Sequence, residues 1–449
     1  MTQTAQHEAD WDMQRLHDLA QQVLEEARRG GATAAEVAVN RSQGYSATVR
    51  MGEVETVEHN RDKNLVVSVY FGNQTGSASS SDFAAAAVAD TVRAACSIAK
   101  YTAADRCAGL ADPARLAREP MDLDLYHPWS IDVAAAIELA RACEGAALDS
   151  DPRLVNSEGA TVASHSGTEV YANSSGFAGD SAGTRHSISC AVVGEQDGAM
   201  QRDYWYSAAR DPHELEDAAL VGAAAAKRTL RRLGARKMPT RQCPVLYEAP
   251  VAASLLSHFT AAVRGSSLYR KASFLLDRLQ QPIFSEGVRI YEQPHLPKAV
   301  GSAWFDNEGV ATRDRDLVTQ GVLQSYVLDT YSGCKLGMES TGNAGGVRNL
   351  TIEPGPLGLA ELLRELGTGL LVTELIGSGV NLVTGDYSRG AVGFWVENGE
   401  IQYPVEEITV AGNLPRMFQD IAAVGNDLDT RRNIRTGSIL LNNLTVAGS

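Results

Sequence analysis

The order helix, antiparallel meander, helix occurs twice before residue 235, and this duplication constrains the fold more than any other feature of the chain. Leu16, Leu19, Ala20, Val23, Leu24 and Ala27 fall at helical spacing, and Gly30-Gly31 supplies a stop. Period-two segments follow, VAVNRSQGYSATVRM, EVETVEHN and NLVVSVYFG, which read as a meander. Ser81 offers a cap for a helix carrying Val88, Val92, Ala95 and Ala99. The second copy starts at Ser130, a cap for Val133, Ala136, Ile137, Ala140 and Cys143. Short strands RLVNSEG, TEVYANSSG, HSISCAVVG and QRDYWYSAA come next. Asp211-Pro212-His213-Glu214 then predicts a helix start, with a stripe running from Leu215 to Leu233. NRSQGYSATV and NSSGFAGDSA take comparable places in the two copies.

From Pro239 the texture changes to glycine-punctuated strands. Asn398-Gly399 within VENGEIQY is a strong hairpin signal. Helices are expected in PVAASLLSHFTAAVRG, in GLAELLRELG up to Gly367, and in NLPRMFQDIAAVG with Asn413 as cap. The fold class is therefore α+β: a duplicated helix–antiparallel meander–helix N-terminal region, residues 1–120 and 121–238, followed by a mostly β, Gly-rich C-terminal domain, residues 239–449.

Composition removes some partners. Forty Lys+Arg against 55 Asp+Glu give a formal net charge of -15, and a chain this acidic is a poor ligand for phosphate backbones, so no nucleic acid is expected. No apolar run reaches the ~18–20 residues that cross a membrane. The opening MTQTAQHEADWD is polar and acidic, unlike a secretory leader, which places the expected location in the cytoplasm. Cys96, Cys107, Cys143, Cys190, Cys243 and Cys334 are widely spaced, with no CxxC pair, and are expected to be buried, reduced thiols.

The residues match none of three common hydrolytic or phosphate-binding patterns. Of nine histidines only His7 and His213 are followed by Glu, and neither HEADW nor HELED supplies the second histidine of a zinc helix. No GxSxG elbow exists; Ser388 in GDYSRG and the neighbours Ser257-His258 lack a paired base. IGSGV at 376–380 and STGNAGG at 340–346 match no phosphate loop, and read instead as glycines in turns or where another backbone comes close.

Several blocks of the C-terminal half carry a resemblance. They are Tyr269-Arg270-Lys271 with Ser273-Phe274-Leu275, Phe305-Asp306 with Glu308-Gly309-Val310, Ser340-Thr341-Gly342, Ala344-Gly345-Gly346 and Gly367-Thr368-Gly369. The longest is TGDYSRGAVGFWVENGEIQYPV, from Thr384 to Val405, followed by ITVAGNL and VGNDL. In these the chain resembles the PmbA/TldE branch of the PmbA/TldD metallopeptidase family, strongly over about residues 265–430. The resemblance implies a two-subunit protease for unfolded or short peptides. Its TldD-type subunit carries a His-Glu motif with a second histidine, and the zinc; its TldE-type subunit lacks those ligands. Counting back from Gly265, the metal positions here hold Leu256, Ser257 and Ala261, and His258 is off register without an acidic neighbour. The resemblance thus implies no catalytic residue and no cofactor in this chain, zinc in a TldD-type partner, and room for a homodimer when the chain is alone. Asp386, Tyr387, Arg389, Tyr269 and Arg270 are the expected contacts to substrate or partner, with a capped turn and an ion pair as the plainer reading of the first three. The alternative is an interaction protein that modulates a toxin target, such as DNA gyrase, without proteolysis.

Overall fold

The computed structural model describes residues 3–448, with side chains from Met13 onward, so the side chain of His7 lies outside the described residues. The first repeat runs α1 (Gln3–Arg29), β1 (Ala34–Arg50), β2 (Glu53–Phe71), β3 (Gln74–Ser80) and α2 (Ala85–Tyr101). The second runs α3 (Val133–Leu148), β4 (Leu154–Asn173), β5 (Ala178–Gln196), β6 (Ala199–Ala209) and α4 (Ala218–Leu230). The element order is the same in both, and the first strands of the two repeats pair with each other: Glu36 to Val49 of β1 lie antiparallel to Asn173 to Ala160 of β4. One six-stranded antiparallel sheet results, in the order β3-β2-β1-β4-β5-β6. Its helices cover one face. Leu16, Ala20 and Val23 of α1 and Val88, Val92 and Ala95 of α2 bury Val37, Val39, Leu65 and Val67. Ala136, Ala140 and Cys143 of α3 and Val221 and Ala225 of α4 bury Ala47, Val49, Val162 and Ile188.

The strands are longer than the sequence suggested. EVETVEHN and NLVVSVYFG belong to a single 19-residue strand, and RLVNSEG and TEVYANSSG to one of 20 residues. The middle of each is polar or small because it is exposed or half-exposed, so the alternation that marks a half-buried strand is missing there. NSSGFAGDSA forms the β4–β5 turn, whereas NRSQGYSATV is the body of β1, so these two stretches are not equivalent. The caps shift too. Asp132, not Ser130, accepts from Ala135 N at α3, and α2 is entered through Asp82, which accepts from Ala84 N. Asp211-Pro212-His213-Glu214 closes a separate 3-10 turn, and α4 starts from Asp217, which accepts from Ala219 N and Leu220 N.

The C-terminal part contains β7 (Arg241–Tyr247), α5 (Ala249–Val263), α6 (Gly265–Tyr269), β8 (Ile290–Glu292), β9 (Arg315–Thr319), β10 (Val322–Leu323), α7 (Thr330–Leu336) and β11 (Leu350–Ile352). Next come α8 (Leu359–Leu366), β12 (Gly369–Ile376), β13 (Asp386–Glu397), β14 (Glu400–Asn413), α9 (Leu414–Gln419), β15 (Ile421–Val424), β16 (Ile434–Arg435) and β17 (Ile439–Ala447). The Asn398-Gly399 hairpin joins β13 to β14, with φ of 52° and 78°. β7 pairs in parallel with β12, β12 with β13, β13 with β14, β14 with β17 and β17 with β7, so these five strands close a ring. A small sheet, β10-β9-β8-β11-β16, lies beside it. α5 fills the space between them: Leu255, Leu256, Phe259, Ala262 and Val263 are in one core with Val245, Val372, Ile290 and Phe418. Each large side chain buried this way contributes about 1.5–3 kcal/mol.

The FDNEGVAT block forms the seam between the two halves. Asp306 accepts from Glu308 N, Val310 N and Ala344 N, and so ties this turn to the glycine loop at 340–346. Phe305 packs on Phe177 of the β4–β5 turn, with ring centroids 5.3 Å apart. Gly309 has φ +78°, and a Cβ there would lie 2.7 Å from Phe177. The strap between α2 and α3 runs over the same seam, with Ala117 N bonded to Gly309 O and Ala311 N to Arg115 O. One expectation fails here. Cys96, Cys143, Cys190 and Cys243 are free and buried, but Cys107 of the strap is disulfide-bonded to Cys334 of α7. They meet because Asp105 binds Lys335 and Tyr331, which lays the strap on α7; a separation of 227 residues hides this from the sequence.

Burial pushes the Glu308 carboxyl up from 4.5 to about 7, while its Oε2 accepts from Thr330 N and Thr330 Oγ1. A raised folded pKa means that this group's stabilisation is complete below the unfolded value and is lost as pH rises through the folded one. Glu308→Gln keeps an acceptor for Thr330 and removes the titration. The variant is expected to gain on the wild type between pH 5 and pH 8, by on the order of 3 kcal/mol, in urea midpoints measured at both pH values. Parallel pH dependences of the two proteins would refute this.

Candidate functional site

α5 follows directly from β7, and its second residue is Pro250, where the missing N–H costs nothing. Its apolar stripe is committed to the core. Leu256 is fully buried there and offers no donor atom. Ser257 is exposed, and its Oγ donates to Ala253 O at 2.9 Å. Ala261 is half-buried and has nothing with which to bind a metal. A zinc ion needs three or four nitrogen, sulfur or carboxylate donors converging on one point, and these positions do not fit it. Among the described residues no group of three or more His, Cys, Asp or Glu is arranged to hold a metal.

The neighbour on the helix is more informative. His258 packs edge-on against Tyr387, with ring centroids 5.9 Å apart and planes at 72°. The Tyr387 hydroxyl lies 3.5 Å from that of Tyr247, the last residue of β7, and both phenols are buried. Burial raises the pKa of both tyrosines. Burial, and then the nearby Arg389 charge, lowers that of His258. The imidazole is therefore neutral at physiological pH, and its Nε2 is buried with no hydrogen-bond partner among the described residues. β13 delivers the other members: side chains alternate along a strand, so Tyr387 and Arg389 share one face while Asp386 and Ser388 take the other.

The predicted contact residues therefore separate into two places. Tyr387 and Arg389 join His258 and Tyr247 at α5. Arg389 donates to Ile376 O at 3.4 Å and makes no ion pair among the described residues. Asp386 points away and closes a turn, accepting from Thr384 Oγ1 at 2.6 Å and Asn413 Nδ2 at 3.3 Å. Tyr269 and Arg270 lie at the end of α6, beside the strap. Arg270 covers the Tyr269 ring, which meets Tyr331 edge-on at 5.7 Å. Sequence reasoning missed Tyr247 and set His258 aside, since nothing in either local pattern signals that they meet. The glycines of IGSGV act as read: a Cβ on Gly379 would lie 2.0 Å from Ser388 O, so glycine lets this loop lie against β13.

A cleft of about 790 Å³ opens elsewhere, between α1, the strap, β5 and the C-terminal part. Its lining includes His17, paired with Asp180 at 2.7 Å, with Glu169, Arg348 and Trp304. None of the predicted site residues borders it.

Comparison with known proteins places this geometry. Residues 35–99, 126–233 and 240–448 match the models for domain 1, the central domain and the C-terminal domain of PmbA/TldA metallopeptidases. The chain is 48% identical to the metalloprotease PmbA homolog of Haemophilus influenzae, over 97% of each chain. It is 49% identical to metalloprotease PmbA of Escherichia coli O157:H7, over 94% of each. Its fold superimposes on a putative modulator of DNA gyrase from Bacteroides thetaiotaomicron with a TM-score of 0.92 at 30% identity, covering 96% of this chain and 99% of that one. It also superimposes on TldE from Thermococcus kodakarensis, with a TM-score of 0.84 at 21% identity, covering 96% and 100%. The class these matches define is a metallopeptidase-type chain with a duplicated sheet and a closed β ring. This protein belongs to the PmbA/TldA metallopeptidase family.

His258→Phe preserves the ring contact with Tyr387 and deletes an unpaired buried nitrogen. A histidine whose pKa is lowered on folding loses stabilisation as pH falls through its unfolded value near 6.5. The variant is expected to match the wild type within about 0.5 kcal/mol at pH 7.5 and to lose less stability on going to pH 5.5. Equal losses in chemical denaturation at the two pH values would show that His258 titrates freely.

Proposed function

We propose that this chain is the zinc-free subunit of a two-subunit metalloprotease that degrades or processes unfolded and short peptides. One observation carries the reading: at the three positions where a metal-binding relative would place ligands, α5 holds Leu256, Ser257 and Ala261, and Leu256 serves the core. Zinc and the water it activates then belong to a TldD-type partner. This chain's own contribution is to complete the enclosure around the substrate. Arg389, which makes no ion pair among the described residues, can donate hydrogen bonds toward a bound segment from beside the buried phenols; no carboxylate accompanies the neutral His258 to make it a base. The surface charge supports neutral or basic peptides, with attraction screened over about 8 Å at physiological salt.

A second reading follows from the name of the Bacteroides neighbour, a putative modulator of DNA gyrase. It requires direct binding to such a target in the absence of any second subunit.

The purified chain is expected to carry no stoichiometric zinc and to cleave no unfolded peptide, and a 1:1 complex with a TldD-type chain is expected to cleave in a chelator-sensitive way. Metal analysis and peptide cleavage, with and without the partner, decide this. Tightly held zinc with activity in the lone chain would reverse the assignment. In the complex, Arg389→Ala is expected to assemble normally and to cleave at least fivefold more slowly, about 1 kcal/mol; unchanged cleavage removes Arg389 from the site.

A further inference from the structure

The six-stranded sheet has one face without helices, and the C-terminal part covers only some of it. Side chains alternate along β4. Val170 lies in the core under α1 and α2, so Glu169 and Tyr171 point to the opposite face. There Tyr171 is buried with Phe177 and Val310, beneath the C-terminal part. Two residues back along the strand the cover ends, and Glu169 borders the cleft of about 790 Å³. β6 stops at His186 of β5, so the outer side of the cleft is closed by the strap instead, with Thr184 N bonded to Leu125 O at 2.9 Å. Solvent reaches Glu169 through the cleft, yet protein surrounds it closely: burial raises its carboxyl pKa, and the nearby Arg348 charge lowers it. Glu169 makes no hydrogen bond and no ion pair among the described residues.

Arg348 follows the glycine loop and lines the same cleft. Its backbone N donates to Glu292 Oε1, and its guanidinium makes one long bond, from Nη2 to Asn307 Oδ1 at 3.4 Å. Two opposite charges thus sense each other without closing into an ion pair. The other charged groups nearby are engaged. Asp306, which also feels Arg348, is buried and accepts from three backbone N–H groups. Asp180 is paired with His17 at 2.7 Å, and Asp124 with His127 at 3.1 Å. Arg210 donates to Thr184 O, Ala299 O and Val300 O. Asp122 is exposed on the strap, with Oδ1 accepting from Asp124 N. Trp304 and Phe305, half-buried and packed edge-on at 4.6 Å, add an apolar wall.

We infer that this cleft binds a free α-amino acid with an apolar side chain. The ammonium group donates to Glu169 and the carboxylate accepts from the Arg348 guanidinium, both as charge-assisted hydrogen bonds. One carbon separates the two charges of such a molecule, so it serves both groups that the fold leaves facing each other. A simple cation or anion serves one of them and repels the other. The side chain lies against Trp304 and Phe305. Small-molecule sites run from about 300 to 1,000 Å³ and combine apolar walls with a few placed polar groups, and this cleft has both the size and the lining. The inference does not depend on which subunit holds zinc, and its test uses the lone chain.

The probe is L-phenylalanine, titrated into the full-length protein by calorimetry and by ligand-observed NMR. Two analogues each lack one charge: 2-phenylethylamine has no carboxylate and 3-phenylpropanoate no ammonium group. Both are expected to bind wild type about tenfold more weakly than phenylalanine. Glu169→Gln is expected to weaken phenylalanine by about tenfold and to leave phenylpropanoate unchanged. Arg348→Gln is expected to weaken phenylalanine equally and to leave phenylethylamine unchanged. Circular dichroism checks that each variant is folded, and the analogues decide the matter on wild type alone where one is not. Absence of phenylalanine binding up to about 10 mM, equal affinity for either analogue, or unchanged phenylalanine affinity in either folded variant would each overturn the proposal.

Discussion

The pairing of β1 with β4 is the contact on which the rest of the molecule depends. Each repeat alone is a three-stranded meander with helices on one side, and its first strand would be a free edge. Joining the two first strands removes both edges and puts all four helices on one face of a single sheet. The β4–β5 turn then brings Phe177 to Phe305 and Trp304, so the C-terminal part docks against the second repeat. The cost of this solution moves outward, to the part of β2 that β3 is too short to cover and the corresponding part of β5. Sheets blunt such edges with charge or cover them with chain, and both devices occur here, one in each repeat.

The closed ring of the C-terminal part solves the same problem differently. Pairing β14 with β17 leaves its five strands without an open edge, and α5 is held against the ring by Leu255, Leu256 and Phe259. A helix that carries a metal must give some of these positions to donors that stay unburied and orientable. Here Leu256 is spent on packing. Replacing a buried leucine with a smaller residue costs about 2–5 kcal/mol, so Leu256 contributes directly to the stability of this helix against the ring.

How much could be read from the sequence follows burial. The duplication, the Asn398-Gly399 hairpin and the helix ending at Gly367 were legible because each depends on residues close together in the chain. The strand count was too high because the exposed middles of β2 and β4 lack any alternation, and polar runs with glycine resemble turns. The cap at α3 was displaced by two residues because Ser130 and Asp132 are both competent, and only the geometry of the last turn chooses between them. The Cys107–Cys334 bond and the Tyr247–His258–Tyr387 group were invisible, since each joins segments that only the tertiary fold brings together. Tyr387 was named as a contact residue, but nothing local told an inward phenol from its outward neighbour Asp386.

That distinction bears on which groups of β13 and α5 keep unused hydrogen-bonding capacity. Asp386, the charged residue most visible in its block, is consumed by the Thr384 and Asn413 contacts that shape a turn. The groups left with unused hydrogen-bonding capacity are the less conspicuous ones, His258 Nε2 and the Arg389 guanidinium. A buried polar atom without a partner costs about 1–3 kcal/mol. At His258 that cost is carried inside the packing of α5 against β13, with no charge at the ring, while Arg389 makes no ion pair among the described residues.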